Sequence, residues 1–216
     1  KICEYGNVFE PGEKAAYSNS NYVLLSLMAE KIEGKDFQQV LADHITGPCG
    51  LENTRIGGPI RPENNEVRSY IRLKDWTPAT ETDMSVPMGA GAVISTPADL
   101  NRFLHCLFGG KLVPEGSLEE MKEIEENYGT GMFRFPFYEK SVYGHTGGID
   151  GFQSIAAHFP EENVSIACCS NGAVMSVNNI LIGALSIYFG LPYELPVFTP
   201  ALDVTPEALQ QYTGVY

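Results

Sequence analysis

Two short motifs in this 216-residue chain hold side chains able to move a proton and to hold an amide or a carboxylate. The first is Tyr17-Ser18-Asn19, set ahead of an apolar run of helical period. In extended backbone, residues two apart project to the same side, so Tyr17 and Asn19 are expected to face one cleft. An unperturbed phenol ionises near ~10, so a general base at neutral pH needs cationic neighbours that stabilise phenolate by roughly 4 kcal/mol. The Asn19 amide offers donors and an acceptor, which suits a substrate amide or carbonyl. Taken alone, Ser18-Asn19-Ser20-Asn21 also reads as a turn rich in capping residues behind a buried tyrosine.

The second motif is His145-Thr146-Gly147-Gly148, which stands between two strand-like segments. Glycine in a strand lets another backbone approach closely, so this edge is suited to pairing with a peptide-like substrate. An imidazole there can donate to a carboxylate or help set the charge state of a nearby phenol, and Thr146 adds a hydroxyl donor for an anion. The plainer alternative is a glycine-rich hairpin with an exposed histidine. His44, His105 and His158 sit inside helical or strand periodicity with no second ligand at a metal spacing, and are expected to be structural. Glu119, Glu120, Glu125 and Glu126 read as a solvated helix face. No metal is expected, and with no phosphate-cradling glycine loop no nucleotide cofactor is supported.

Positioning these groups takes a helix after residue 18 and a sheet around residue 145. Ser20 or Asn19 is available as N-cap to a helix bearing Leu24, Leu25, Met28 and Ile32 on one face, stopped by Gly34. Asp36 with Gln39 resembles a capping box, and Phe37, Val40, Leu41 and Ile45 continue the period until Gly47-Pro48 is expected to end it. Between residues 49 and 88 the pattern weakens, and residues 67–73 are the best strand candidate. Thr96, Pro97 and Asp99 open the clearest helix, with Leu100, Phe103, Leu104 and Leu107 as its stripe and Gly109-Gly110 as its stop. Ser117 with Glu120 is expected to start another. Strands are expected at 131–135, 141–144, 153–159 and 164–169 as an antiparallel meander, covered by a helix bearing Ile180, Leu181, Ala184, Leu185 and Tyr188. The fold class is therefore α+β, an antiparallel sheet flanked by helices.

Composition narrows the function classes. With 44% hydrophobic and 19% charged residues, the chain has enough apolar side chain for a packed core. Lys+Arg 14 against Asp+Glu 27 gives a net charge of −13, which repels nucleic acids and anionic membranes. The longest apolar run, residues 180–191, is shorter than the ~20 residues of a membrane span and is expected to be a buried helix. Five cysteines, an odd number without a C-x-x-C pair, indicate neither a disulfide framework nor a zinc site, and most are expected to be small core residues. The first residue is Lys1, with no leader-like segment, so the sequence is expected to be a piece of a longer protein.

Read together, Tyr17-Ser18-Asn19, Gly89-Ala90-Gly91, Ser95-Thr96-Pro97-Ala98-Asp99-Leu100 with Phe103, Tyr143-Gly144-His145-Thr146-Gly147-Gly148 and Gly151-Phe152 resemble, in order and spacing, a known family. It is that of the penicillin-recognising serine hydrolases, the class C β-lactamase and D-Ala-D-Ala carboxypeptidase group, over residues 11 to 190. The histidine in place of lysine at 145 is more like the carboxypeptidase, D-aminopeptidase and esterase branch. The resemblance implies a β-lactamase/transpeptidase-like fold and an acyl-enzyme mechanism on D-amino-acid peptides, β-lactams or esters. By the same resemblance Tyr17 relays protons and Asn19 binds the substrate amide. His145, Thr146 and Gly147 line the strand that places the substrate, and no cofactor is implied.

The family's nucleophile lies in an S-x-x-K motif ahead of Tyr-x-Asn. No serine here has lysine three positions later, so both groups are expected upstream of Lys1 and the piece alone is expected to be inactive. Residues 1–194 would then be the C-terminal portion of the hydrolase domain, 195–206 a linker and 207–216 the start of a following domain. Intramolecular contacts with the upstream segment and that domain are expected, with a periplasmic or extracellular location. A non-catalytic relative that binds peptidoglycan peptides or a protein is the alternative.

Overall fold

A computed structural model describes residues 6–125, 128–197 and 204–213. Helix α1, Asn19–Glu33, begins after Ser18 in extended conformation and stops at Gly34, whose φ of 65° is left-handed. The N-cap is Ser18 rather than Ser20 or Asn19, and no side chain caps the helix. Asn19 is not free to do so, because its oxygen is taken by Tyr17. Asp36 caps α2, Phe37–Leu41, by accepting from the Gln39 amide at 2.8 Å. The expected stop at Gly47-Pro48 is overturned. The chain passes through a wide helical turn, Ala42–Thr46, into α3, Gly47–Cys49, and ends at Gly50 with φ 63°. Pro48 falls in the first turn of α3, where a missing N–H costs no helical bond.

Two small ladders follow, formed by β1, Arg55–Ile56, β2, Tyr70–Arg72, β3, Trp76–Pro78, and β4, Val93–Ile94. β1 pairs with β4 and β2 with β3, both antiparallel. Thr96 caps α4, Pro97–Phe108, by accepting from the Asp99 amide at 3.2 Å. Its apolar stripe buries Leu104 and Leu107. Helix α5, Glu115–Lys122, starts behind Pro114, two residues ahead of Ser117. Glu119, Glu120 and Glu125 are exposed, and Glu126 lies outside the described residues.

Among the described residues, β5, Phe133–Phe137, β6, Lys140–Ile149, β7, Phe152–Phe159, and β8, Val164–Ser170, form one antiparallel sheet in that order. Its core contact with α4 centres on His158, whose ring stacks on Phe108 with centroids 4.3 Å apart and whose Nδ1 is 2.8 Å from Ser165 Oγ. α4, α5 and the residue ahead of β5 meet through Leu107, Leu118 and Met132. Helix α6, Val177–Tyr188, lays Val177 and Leu181 on Ile155 of β7. The helix expected to be buried is covered along one stripe, with Leu181 and Leu185 buried and Ile187 70% exposed.

The chain separates into two compact units, Lys1–Leu181 and Ile182–Tyr216. Within the second, Tyr193 packs on Gly183, leaving no room for a larger residue there, and Thr205 caps α7, Pro206–Leu209. Residues 198–203 and 214–216, parts of the expected linker and following domain, lie outside the described residues. No helix among the described residues is long and apolar enough to cross a membrane. Cys49 and Cys106 are buried, whereas Cys169 is exposed and Cys168 half-buried, so the expected burial of most cysteines holds for one pair. Cys3 lies outside the described residues.

Candidate active site

Extended backbone at Ser18, φ −148° and ψ 120°, sends Tyr17 and Asn19 to the same side. The Tyr17 phenol donates to Asn19 Oδ1 at 3.0 Å. Helix α1, which carries this motif, is held by a close approach. The Gly89 amide donates to Ser26 Oγ at 3.3 Å, and a Cβ on Gly89 would stand 2.7 Å from Ser26 Cβ and 2.8 Å from the Tyr22 carbonyl oxygen. Glycine at 89 is therefore a packing requirement of α1.

His145 and Thr146 lie within strand β6 and not in the turn of the β6–β7 hairpin, because β6 extends to Ile149 opposite Phe152 of β7. The turn is instead Asp150-Gly151, with Asp150 at φ 52°. β5 pairs with β6 only as far as Phe133 opposite Gly144. From His145 to Ile149, β6 is paired with β7 alone among the described strands, so its other edge presents alternate N–H and C=O groups to any incoming strand. Thr146 and Gly147 on that edge are exposed. The space a side chain would need at Gly147 is filled by Ser154 Oγ, 2.4 Å from an ideal Cβ.

The two motifs meet. The Tyr17 and His145 ring centroids are 5.9 Å apart. Three rings that sequence reading did not single out complete a collar around the phenol: Tyr22 at 6.2 Å, Tyr128 stacked at 6.1 Å and Phe133 at 5.9 Å. Phe133 also packs on His145 at 4.4 Å. Alternation of Phe133 and Phe135 in β5 signals that those two share a face, but nothing local in the sequence points Tyr128 toward Tyr17.

His145 Nδ1 lies 2.6 Å from its neighbour's carbonyl, Thr146 O. A carbonyl only accepts, so Nδ1 is the donor in this contact. Partial burial raises the Tyr17 pKa above the ordinary phenol value, and the Tyr22 and Tyr128 phenols raise it further. Tyr17 is thus a protonated donor here. Lowering it to a base takes a cation that none of these neighbours supplies.

His145, Thr146 and Ser154 also line a largely apolar cleft of about 280 Å³ between α4 and the sheet, with Leu104, Met132 and Ile155. A second pocket, about 330 Å³, is lined by Tyr70, Trp76, Asn171 and Gly172 and shares none of the collar residues. The β6–β7 turn is clamped by Asp150, whose carboxylate accepts from Thr80 Oγ1 at 3.0 Å, Thr82 Oγ1 at 2.9 Å and Thr82 N at 3.1 Å. Burial pushes the Asp150 pKa up, but these three donors outweigh it and hold the carboxyl below its ordinary value. Among the described residues no three His, Cys, Asp or Glu side chains are grouped to hold a metal.

An antiparallel sheet with helices packed against it, and a Tyr-x-Asn helix start facing a His-Thr-Gly strand, define a β-lactamase/transpeptidase-type fold. Residues 1–182 match the Beta-lactamase family, and the chain belongs to it. It is 28% identical over 211 residues to penicillin-binding protein 4* of Bacillus subtilis, covering 87% of this chain and 47% of that protein. The D-stereospecific amidohydrolase of Streptomyces sp. superposes with a TM-score of 0.69 at 29% identity, over 76% of this chain and 52% of the other. The D-amino acid amidase of Ochrobactrum anthropi SV3, complexed with L-phenylalanine amide, superposes with a TM-score of 0.74 at 24% identity, over 87% and 61%, a likeness of fold. The chain spans about half the length of the first of these relatives.

Proposed function

We propose that the parent protein is a serine hydrolase of the β-lactamase-related, D-Ala-D-Ala carboxypeptidase type, acting on D-amino-acid peptides, β-lactams or small esters. The observation that carries this reading is the approach of Tyr17 to His145 beside an open strand edge. A serine and lysine of an upstream S-x-x-K segment supply the nucleophile and the missing cation, and residues 1–216 alone are inactive. That segment lies against the apolar cleft beneath His145 and Thr146.

In this reading the serine Oγ attacks the substrate carbonyl while Tyr17, as phenolate beside the lysine ammonium, accepts the serine proton. The phenol then passes that proton to the leaving amine or alcohol, and the acyl-enzyme remains. Water attacks the ester, its proton returns through Tyr17 to serine Oγ, and the acid leaves. Asn19 holds the substrate amide, the β6 edge at Gly147 pairs with its backbone, and Thr146 with His145 receives its carboxylate. Such substrates place the parent protein in the periplasm or outside the cell. Residues 195–206 serve as the linker to a domain starting at 207–216, which contacts the hydrolase domain.

Treating the full-length chain with a fluorescent penicillin or a fluorophosphonate tests this reading. Covalent label on a serine upstream of Lys1 is expected, and Tyr17→Phe is expected to slow acylation by about 100-fold. One observation favours a second reading, a non-catalytic binder of peptidoglycan peptides. The Tyr17 pKa is raised, which suits a hydrogen-bond donor rather than a base. Reversible binding of the penicillin with no labelled serine would establish the binder and overturn the hydrolase.

A further inference from the structure

A face of α4 outside the candidate site is stitched along its length to residues 49–54. Asp99 Oδ2, in the first turn, accepts from the Asn53 amide at 2.8 Å and from Thr54 Oγ1 at 2.9 Å. Arg102 Nη1, one turn on, donates to the Gly50 carbonyl at 2.5 Å. Cys106, one turn further, is buried in a cluster with Cys49 and Leu51. Residues 99, 102 and 106 are three and four apart and share one helix face. The segment runs antiparallel to the α4 axis, so each tether advances one partner and retreats the other. Cys49 therefore arrives opposite Cys106, and the two side chains share that buried cluster.

We propose that Cys49 and Cys106 are a disulfide-forming pair, closed by exchange with a small-molecule disulfide such as oxidised glutathione. In the first step the thiolate of one cysteine attacks oxidised glutathione, giving a protein–glutathione mixed disulfide and one glutathione thiolate. In the second step the other cysteine's thiolate attacks the protein sulfur of that mixed disulfide, forming Cys49–Cys106 and releasing the second glutathione. The two cysteine sulfurs lose two electrons, glutathione disulfide gains them, and the two thiol protons end on the released glutathiones.

The remaining described cysteines do not compete. Cys168 and Cys169 are adjacent on β8, where successive side chains point to opposite faces. Burial pushes the Cys49 thiol up to about 12, with the Cys106 thiol adding to the rise, so in the closed seam Cys49 is almost wholly a thiol at neutral pH. Closure therefore takes place during folding or when the α3–α4 seam opens. This inference does not depend on the hydrolase reading, since no residue of the collar takes part.

The test uses the full-length chain refolded in a glutathione redox buffer, with free thiols alkylated before digestion by trypsin. Cleavage after Lys35, Arg55, Arg102 and Lys111 places the two cysteines in separate peptides, 36–55 and 103–111. The expected result is a single linked species, two hydrogen atoms lighter than the sum of the two peptides and separated by dithiothreitol. The thermal midpoint of the oxidised chain is expected above that of the reduced chain, a difference lost in Cys49→Ser and in Cys106→Ser. Recovery of both peptides alkylated, or Cys49 joined only to glutathione or to another cysteine, would overturn the proposal. If refolding fails, the native full-length chain purified without reductant is digested in the same way and read by the same outcomes.

Discussion

The phenol of Tyr17 and the imidazole of His145, from opposite halves of the chain, stand with ring centroids 5.9 Å apart, while the phenol donates to Asn19 Oδ1 at 3.0 Å. This places the only partner of the Tyr17 hydroxyl among the described residues on the same motif.

The first prediction concerns that phenol. Partial burial, then Tyr22 and Tyr128, raise its pKa, so in this chain it titrates above free tyrosine. Replacing Tyr128 with Phe removes one of the two phenols and is expected to bring the titration of Tyr17 down. Carbon-13 NMR of ring-labelled tyrosine across alkaline pH reads both values. A Tyr17 that already titrates below free tyrosine in residues 1–216 alone would contradict the need for an outside cation.

Gly89→Ala is expected to destabilise the chain by about 1–3 kcal/mol, because the added carbon meets both Ser26 Cβ and the Tyr22 carbonyl oxygen. Adding Ser26→Gly is not expected to restore stability, since the backbone oxygen remains 2.8 Å away. Urea denaturation measures each variant. An unchanged midpoint for Gly89→Ala would show that α1 is not held by this contact.

Asp99 joins two layers of the fold by accepting from Asn53 and Thr54. Asp99→Ala removes the buried acceptor from the exposed Asn53 amide and the half-buried Thr54 hydroxyl and is expected to cost about 1 kcal/mol. Asp99→Asn, which keeps one oxygen acceptor, is expected to lose less. The denaturant midpoint gives the ranking, and equal losses would remove the acceptor from the explanation.

His158 sets a pH window. Burial, with His105 as a lesser influence, lowers its pKa from 6.5 to about 4. Between those values the unfolded chain binds a proton that the folded chain does not, so the stability present above pH 6.5 falls as pH drops toward 4. His158→Phe is expected to flatten stability measured across this interval. Asp150, also depressed, acts below the ordinary carboxylate value and would leave the slope above it untouched. A wild-type chain equally stable at both ends of the window would refute the assignment.

Much of the fold was legible because its signals are local. The Asp36–Gln39 and Thr96–Asp99 caps join residues three apart, and the alternation of residues 153–159 follows from the pleat of a single strand. The Gly47-Pro48 stop was misread because proline ends a helix only when the turn before it needs its N–H, and here it begins a new turn. Asn19 was one of two cap candidates as well as a cleft-facing amide, because both uses share one local pattern, and the bond from Tyr17 shows that its oxygen does not cap α1.

By itself the amino-acid order determined the helices, the antiparallel meander and the two motifs, since each depends on backbone geometry over a few neighbouring residues. Tertiary structure alone decided that Tyr128 stacks on Tyr17, that β5 begins only at Phe133 and so pairs with β6 no further than Gly144, and that Cys49 meets Cys106. Those contacts join residues far apart in the chain, where no periodicity survives. They come from how whole elements pack, and packing is settled by the apolar surface that every element buries at once.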